Sequence, residues 1–205
     1  HTAKVRPLAM RSHSPWVMFV LLAGSLGSLA LVYWKRSSHP ANLVSLGVFT
    51  AFEALMLGAV VCFVEKTVVL KAVILTTFVF LGLTLYTLQS KYDFSSLQSW
   101  LYWGLLILIG TGLVQMFFPY HHLFELAYAT AGCAIFSGYI MYDTWLIQRR
   151  YVAANVATNP SLSMDDWVLA NISLYLDVVN LFISILRGAS APATTNPVMN
   201  ASSDE

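Results

Sequence analysis

The chain has 205 residues, of which 58% are hydrophobic and only 10% charged, against roughly 25% charged for ordinary soluble domains. So little charge could not cover a water-soluble globule, and a formal net charge of +1 points neither to nucleic acid nor to an acidic substrate. Charges sit in short clusters, such as Lys35 with Arg36, Glu65 with Lys66, and Arg149 with Arg150. The apolar stretches between them run to about 20 residues, the length a helix needs to cross a hydrocarbon core of roughly 30 Å. Lipid offers no hydrogen bonds to the backbone, so each such stretch must satisfy its own N–H and C=O groups as a helix.

Read in order, the sequence predicts an all-α, polytopic transmembrane helix bundle with six spans. These are about Pro15–Trp34, Asn42–Val64, Thr67–Leu88, Leu97–Phe117, His122 to at least Ile147, and Met164–Arg187. A polar N-terminal segment, 1–14, precedes the bundle of 15–187, and a polar tail rich in Ala, Thr, Ser and Asn, 188–205, is expected to be disordered. Pro15 suits a helix start, and Pro40 punctuates the first turn. Ser163 followed by Asp165 and Asp166 reads as an N-cap with an acidic first turn. Trp16, Tyr33, Trp34, Tyr92, Trp100 and Trp167 gather near span ends as an interfacial belt. Gly24/Gly27 and Gly110/Gly112 are expected to permit close helix packing. Cys62 and Cys133 read as small core side chains. His121 and His122 read as interfacial, because no third ligand stands at metal-binding spacing. Lys and Arg are balanced between the two sides, so the positive-inside rule gives no orientation.

Charges inside spans carry the functional signal, since each costs roughly 2.5–3.5 kcal/mol at a helix centre on insertion scales. Three acids qualify: Glu53, Asp143 and Asp177. No Lys or Arg lies comparably deep; Arg36 alone could reach inward from an edge. On the last span Ser173, Asp177, Asn180 and Ser184 fall at i, i+4, i+7 and i+11, one helix face. That face should meet the bundle interior, a water-filled path or a partner acid. Consecutive spans run antiparallel, and Asp177 lies about 16 Å along its helix at 1.5 Å per residue. Asp143 matches that depth if the fifth helix continues past Arg150 to around Ala153. Two acids sharing a low-dielectric site cannot both ionise cheaply, so the pair is expected to hold a proton near neutral pH and act as a switch. For Asp143 the alternative is an acid that snorkels to the interface or pairs with Arg149 or Arg150. For Glu53, with Thr50 one turn earlier, a hydrogen-bonding role in packing stands equal to a place on an ion pathway.

At these residues the chain resembles a known family. Met141-Tyr-Asp143-Thr and Leu174-Tyr-Leu-Asp177-Val-Val-Asn180-Leu-Phe182, closing with Ile185-Leu-Arg187, resemble the last two helices of the Bax inhibitor, or lifeguard, family. His39-Pro-Ala-Asn42-Leu, Phe49-Thr-Ala-Phe-Glu53 and Leu83-Thr-Leu-Tyr86 agree upstream, and the likeness covers about 14–187. The resemblance implies a seven-helix protein of internal membranes, associated with calcium leak from stores and suppression of cell death. It implies a gating aspartate pair, Asp143 and Asp177, which would also be the transient contact for calcium. It implies an arginine latch, most nearly Arg36. The family's first helix has no counterpart here, so the chain is expected to be truncated before its first span, and its tail is longer than usual.

The expected function is therefore a pH-sensitive calcium leak channel, with Glu53, Asn180, Ser173 and Ser184 as further pathway residues. No cofactor is expected, calcium being the permeating ion. The expected partners are the lipid bilayer, calcium ions and cell-death regulators of the membrane, with no nucleic acid. The expected site is the endoplasmic reticulum, with Golgi or vacuole/lysosome as alternatives. Two other functions compete: a non-conducting membrane protein that regulates cell-death factors, and a proton-coupled cation exchanger needing Glu53 as a second titrating group. An intramembrane aspartyl protease would need GxGD around the second acid and a later PAL motif; the chain has Leu174-Tyr-Leu-Asp177 and no PAL after it. It is expected not to be an enzyme.

Overall fold

A computed structural model describes residues 15–35, 40–117, 122–156 and 164–191. Among them the fold is all-α, with six long helices: α1 (Pro15–Lys35), α2 (Ala41–Val61), α3 (Lys66–Gln89), α4 (Leu97–Phe117), α5 (His122–Val156) and α6 (Met164–Ser190). A short 3₁₀ turn, Phe94–Ser96, leads into α4. Five of the six hold a stretch long and apolar enough to cross a membrane, while α1 holds a shorter apolar stretch, Val20–Lys35. The chain is a multi-pass membrane protein. The N-terminal segment, Arg36, Ser163 and most of the polar tail lie outside the described residues, as do His121 and the side chains of His122, Asp165, Asp166 and Trp167.

Beyond shifts of one residue, two helix ends differ from the sequence reading, and the fifth span, left open beyond Ile147, ends at Val156. α2 stops at Val61 rather than Val64: the Phe63 N–H bonds to Val60 O at 3.3 Å and the Val64 N–H to Val61 O at 3.0 Å. These i→i+3 bonds tighten the last turn and end the α-helix. α5 runs unbroken through Arg149 and Arg150 to Val156, the extension that the depth of Asp143 requires. α6 continues past Arg187 to Ser190, where the Ser190 hydroxyl donates to Leu186 O at 2.7 Å and the Ala191 N–H to Arg187 O at 3.1 Å. The tail expected from residue 188 thus gives its first three positions to the helix.

Two compact units make up the chain. One holds α1, α2 and the start of α6; the other holds α3, α4, α5 and α6 from Ser173 onward. In the first, α1 packs against α2, with the Phe52 ring lying where a Cβ on Gly24 would stand. Asn42, Ser45, Phe49 and Glu53 form the buried face of α2. In the second unit, glycines let helices approach. A Cβ on Gly104 would sit 3.0 Å from Ile135 Cδ1, and one on Gly138 would sit 2.6 Å from Leu101 Cδ2. These crossed pairings make α4 and α5 antiparallel. α5 and α6 are antiparallel too: a Cβ on Gly132 would meet Ser184 Oγ at 2.6 Å, and one on Gly188 would meet Ala129 Cβ at 3.5 Å. Gly24 and Gly112 therefore act as expected, whereas Gly27 and Gly110 have nothing within 4 Å. Cys62 caps α2 and is exposed, and Cys133 is half-buried. Cys62 is thus not a core side chain, because α2 ends one residue before it.

Candidate functional site

The acid pair lies where α5 and α6 cross. Asp143 is 8% exposed and Asp177 7%. Their side chains are hydrogen-bonded to each other, and the Ser173 side chain, one turn before Asp177, is hydrogen-bonded to Asp143. A hydrogen bond between two carboxyls needs a proton on one of them, because two carboxylates offer only acceptors. The second oxygen of Asp177, Oδ2, is buried without a partner among the described residues. Asp143 does not snorkel: it sits inside, on the helix face that meets α6.

The polar face of α6 turns inward as its spacing implies. Ser184 is buried; Ser173 and Asn180 are half-buried. Asn180 Nδ2 donates to Leu176 O at 2.9 Å, and the Ser184 hydroxyl donates to Asn180 O at 2.8 Å. Each side chain thus donates to the helix's own backbone, and Ser184 lies where α6 closely approaches Gly132.

Glu53 belongs to the other unit. It is 8% exposed and accepts a hydrogen bond from the Ser25 hydroxyl of α1, while Ser28 donates to Ser25 O at 2.8 Å. Thr50 is not its partner, since that hydroxyl donates to Leu46 O at 2.9 Å. Ser25 and Ser28 of α1 and Asn42 and Ser45 of α2 are buried as well. On the buried face of α2, Asn42, Ser45 and Glu53 place three polar side chains beside Phe49, and only Glu53 stands out in the sequence, because Asn42 and Ser45 carry no charge to mark them.

A third cluster closes one end of the larger unit. Arg187 Nη2 donates to Gln115 Oε1 at 2.8 Å, its Nε lies 3.5 Å from Glu125 Oε1, and its guanidinium stacks 4.8 Å from the Tyr128 ring centre. One side chain of α6 thus holds α4 and α5 together. At the opposite end Gln148 Nε2 donates to Leu88 O at 3.4 Å, supplying a donor to the open last turn of α3. Nearby, Arg149 stands 3.4 Å from Asp93 and 4.9 Å from the Trp145 ring centre. Among the described residues no group of three or more His, Cys, Asp or Glu could hold a metal ion.

Comparison with known proteins follows the same residues. The family described as Inhibitor of apoptosis-promoting Bax1 matches residues 2–190. Protein lifeguard 4 of Mus musculus is 42% identical over 174 residues, 85% of this chain and 68% of the relative. Bax inhibitor 1 of Schizosaccharomyces pombe is 38% identical, covering 84% of this chain and 61% of the relative. The Golgi anti-apoptotic protein of Vaccinia virus (strain Lister) is 40% identical, over 85% of this chain and 68% of the relative. The chain spans between about three fifths and two thirds of these relatives' lengths. A family match along nearly the whole chain, over a helical membrane fold with its acids on α5 and α6, leads to one conclusion: the chain belongs to the Bax inhibitor family.

Proposed function

We propose that this chain forms a calcium leak path in an internal membrane, that the Asp143–Asp177 pair gates it, and that the leak serves suppression of cell death. The carrying observation is the hydrogen-bonded pair of buried carboxyls at the α5–α6 crossing. The names of the fission-yeast and viral relatives, Bax inhibitor 1 and Golgi anti-apoptotic protein, support the cell-death role. The viral name also supports a secretory-pathway membrane, of which the endoplasmic reticulum is our first choice and the Golgi the second.

With a proton between them the two carboxyls bind each other and hold α5 against α6; this is the closed state. Loss of the proton leaves two adjacent carboxylates that repel each other and attract a hard divalent cation through oxygen. Flux should accordingly rise as pH rises through the midpoint of the pair, a value that belongs to the two residues jointly. Arg36, the latch that the family resemblance implies, lies outside the described residues. The Ser25–Glu53 hydrogen bond supports a packing role for Glu53 over a pathway role.

The test is calcium flux into dye-loaded liposomes across a pH series. Wild-type flux should depend on pH, and Asp177→Asn should abolish that dependence, because an amide neither titrates nor carries charge to the ion. Asp143→Asn should do the same if the pair acts as a unit. A pH response that survives both substitutions together removes the pair as gate. Flux no greater than in protein-free liposomes at every pH removes conduction, and leaves the non-conducting regulator of cell-death factors in its place.

A further inference from the structure

Many hydroxyls on these helices share one habit, and others, such as Ser25 and Ser173, bond to a buried acid instead. Thr50, Thr76, Thr77, Thr87, Thr130 and Ser184 each donate to the carbonyl four residues earlier, at 2.7–2.9 Å, the default for a hydroxyl in a membrane helix. Thr84 and Thr144 break the habit. Their hydroxyl oxygens are buried and bond to nothing among the described residues, where the third such buried atom is Asp177 Oδ2. Thr144 is 5% exposed as a whole residue.

All three atoms belong to the unit of α3, α4, α5 and the later part of α6. α3 and α5 run in the same direction, because α4 is antiparallel to α5 and the short link through Asp93 returns the chain from α3 into α4. The contact between Gln148 and Leu88 O fixes their register. One turn back from Leu88 is Thr84, and one turn back from Gln148 is Thr144. The two unbonded hydroxyls therefore stand level on neighbouring helices. Thr144 is the residue next to Asp143, whose carboxyl meets Asp177. A buried hydroxyl that forgoes its own helix carbonyl leaves a polar group unpaired in a low-dielectric interior, and here three such atoms share one level of one unit.

We propose that Thr84, Thr144 and Asp177 Oδ2 line a buried water site between α3, α5 and α6, which connects the acid pair to the Gln148 end of the helices. The three side chains supply two hydroxyls, able to donate or accept, and one carboxyl oxygen, within the two to four polar partners a buried water takes. The site gives protons a hydrogen-bonded route to the carboxyls that an apolar helix interior cannot. It rests on the geometry of the pair and not on calcium conduction, so it stands or falls separately from the leak.

Thr84→Val and Thr144→Val remove the hydroxyl and keep the shape. If water joins the two, each variant loses one of its ligands, and the melting temperature of the detergent-solubilised chain falls by about 2–4 °C. The double variant falls by less than the sum, because both hydroxyls serve one water. Thr77→Val, whose exposed hydroxyl bonds to Val73 O, serves as the control and leaves the water site intact. A second readout follows the protonated carboxyl directly: its C=O stretch shifts on transfer to D₂O, and the shift should develop more slowly in both variants than in wild type. Dry, unpaired hydroxyls give the reverse thermal result, since valine then replaces an unsatisfied polar group and the melting temperature rises. A rise in melting temperature, or additive falls with unchanged exchange of the carboxyl, overturns the proposal.

Discussion

Asp93, in the link between α3 and α4, accepts from the Ser95 N–H at 2.9 Å and stands 3.4 Å from Arg149. Its carboxyl is held below the usual value of 3.8 chiefly by the backbone bond to Ser95, next by the Ser95 side chain, with Arg149 contributing least. The ion pair is exposed on both sides and screened by water and salt, so the nearer, directed hydrogen bond wins. Because the folded value is the lower one, the contribution to stability is complete above 3.8 and is lost as pH falls through the folded value. Arg149→Gln should therefore leave the titration of Asp93, followed by carboxyl carbon NMR, almost where it was, while Ser95→Ala should move it upward. An upward shift in Arg149→Gln larger than that in Ser95→Ala would reverse this ranking. At the same scale the sequence showed Asp143 and Asp177 plainly, since a charge within an apolar run announces its own cost. Thr84 and Thr144 were invisible there: nothing in the identity of a threonine tells whether its hydroxyl bonds to its own helix.

Between elements, spacing is set by glycine, and only coordinates tell which glycines matter. The sequence marked pairs, Gly24/Gly27 and Gly110/Gly112, but just one member of each has a neighbour at close range, and Gly104, Gly132 and Gly138 drew no notice. Pairing on paper fails because the helix turns through 100° per residue: Gly110 and Gly112 point to nearly opposite sides, and Gly27, on the same face as Gly24, lies a turn away from the Phe52 ring. Gly132 should be the least tolerant of substitution. A Cβ there would lie 2.6 Å from Ser184 Oγ and 3.2 Å from Ser184 Cβ; rotation of the hydroxyl clears the first contact but not the second. Gly132→Ala therefore pushes α6 off α5 about three turns from Asp143, an overpacking cost of about 1–3 kcal/mol. At Gly138 the near atom is Leu101 Cδ2 at 2.6 Å, with Cγ at 3.7 Å, and the end of a leucine can swing aside. Thermal unfolding should rank Gly132→Ala well below Gly138→Ala, and Ser184→Gly should restore the former. Equal losses at both glycines would show that the spacing of α5 and α6 is not set by this contact. Helix existence, by contrast, was legible throughout, because an apolar run of about 20 residues between charges leaves the backbone no other way to satisfy itself in lipid.

For the whole molecule the governing fact is how little of it is buried. Within the five spans, between 11% and 33% of the apolar window lies inside the protein, and large side chains such as Phe78, Ile107 and Phe63 are about two-thirds exposed or more. A soluble protein exposing that surface would aggregate; in a bilayer the same surface is solvated by acyl chains. This pattern was readable from composition. The division into two units was not, because no linker or shift of composition marks it: α6 itself passes from one unit to the other at Ser173. The lipid reading has a sharp consequence at Phe78, which is 71% exposed near the middle of α3. Asp at a span centre costs roughly 2.5–3.5 kcal/mol on insertion scales, whereas Phe contributes about −0.3. Phe78→Asp should therefore shift α3 strongly toward failure to insert, read as altered glycosylation of acceptor sites placed in the flanking loops. Phe78→Leu should insert as wild type. Asp177 already carries its charge-bearing group inward against Asp143, so Asp177→Leu should insert at least as well as wild type while losing the pair. A Phe78→Asp chain that inserts normally would mean that this face of α3 meets protein or water rather than lipid. It would also mean that the exposed apolar surface is an interface between molecules, and that the bilayer covers less of the protein than its composition implies.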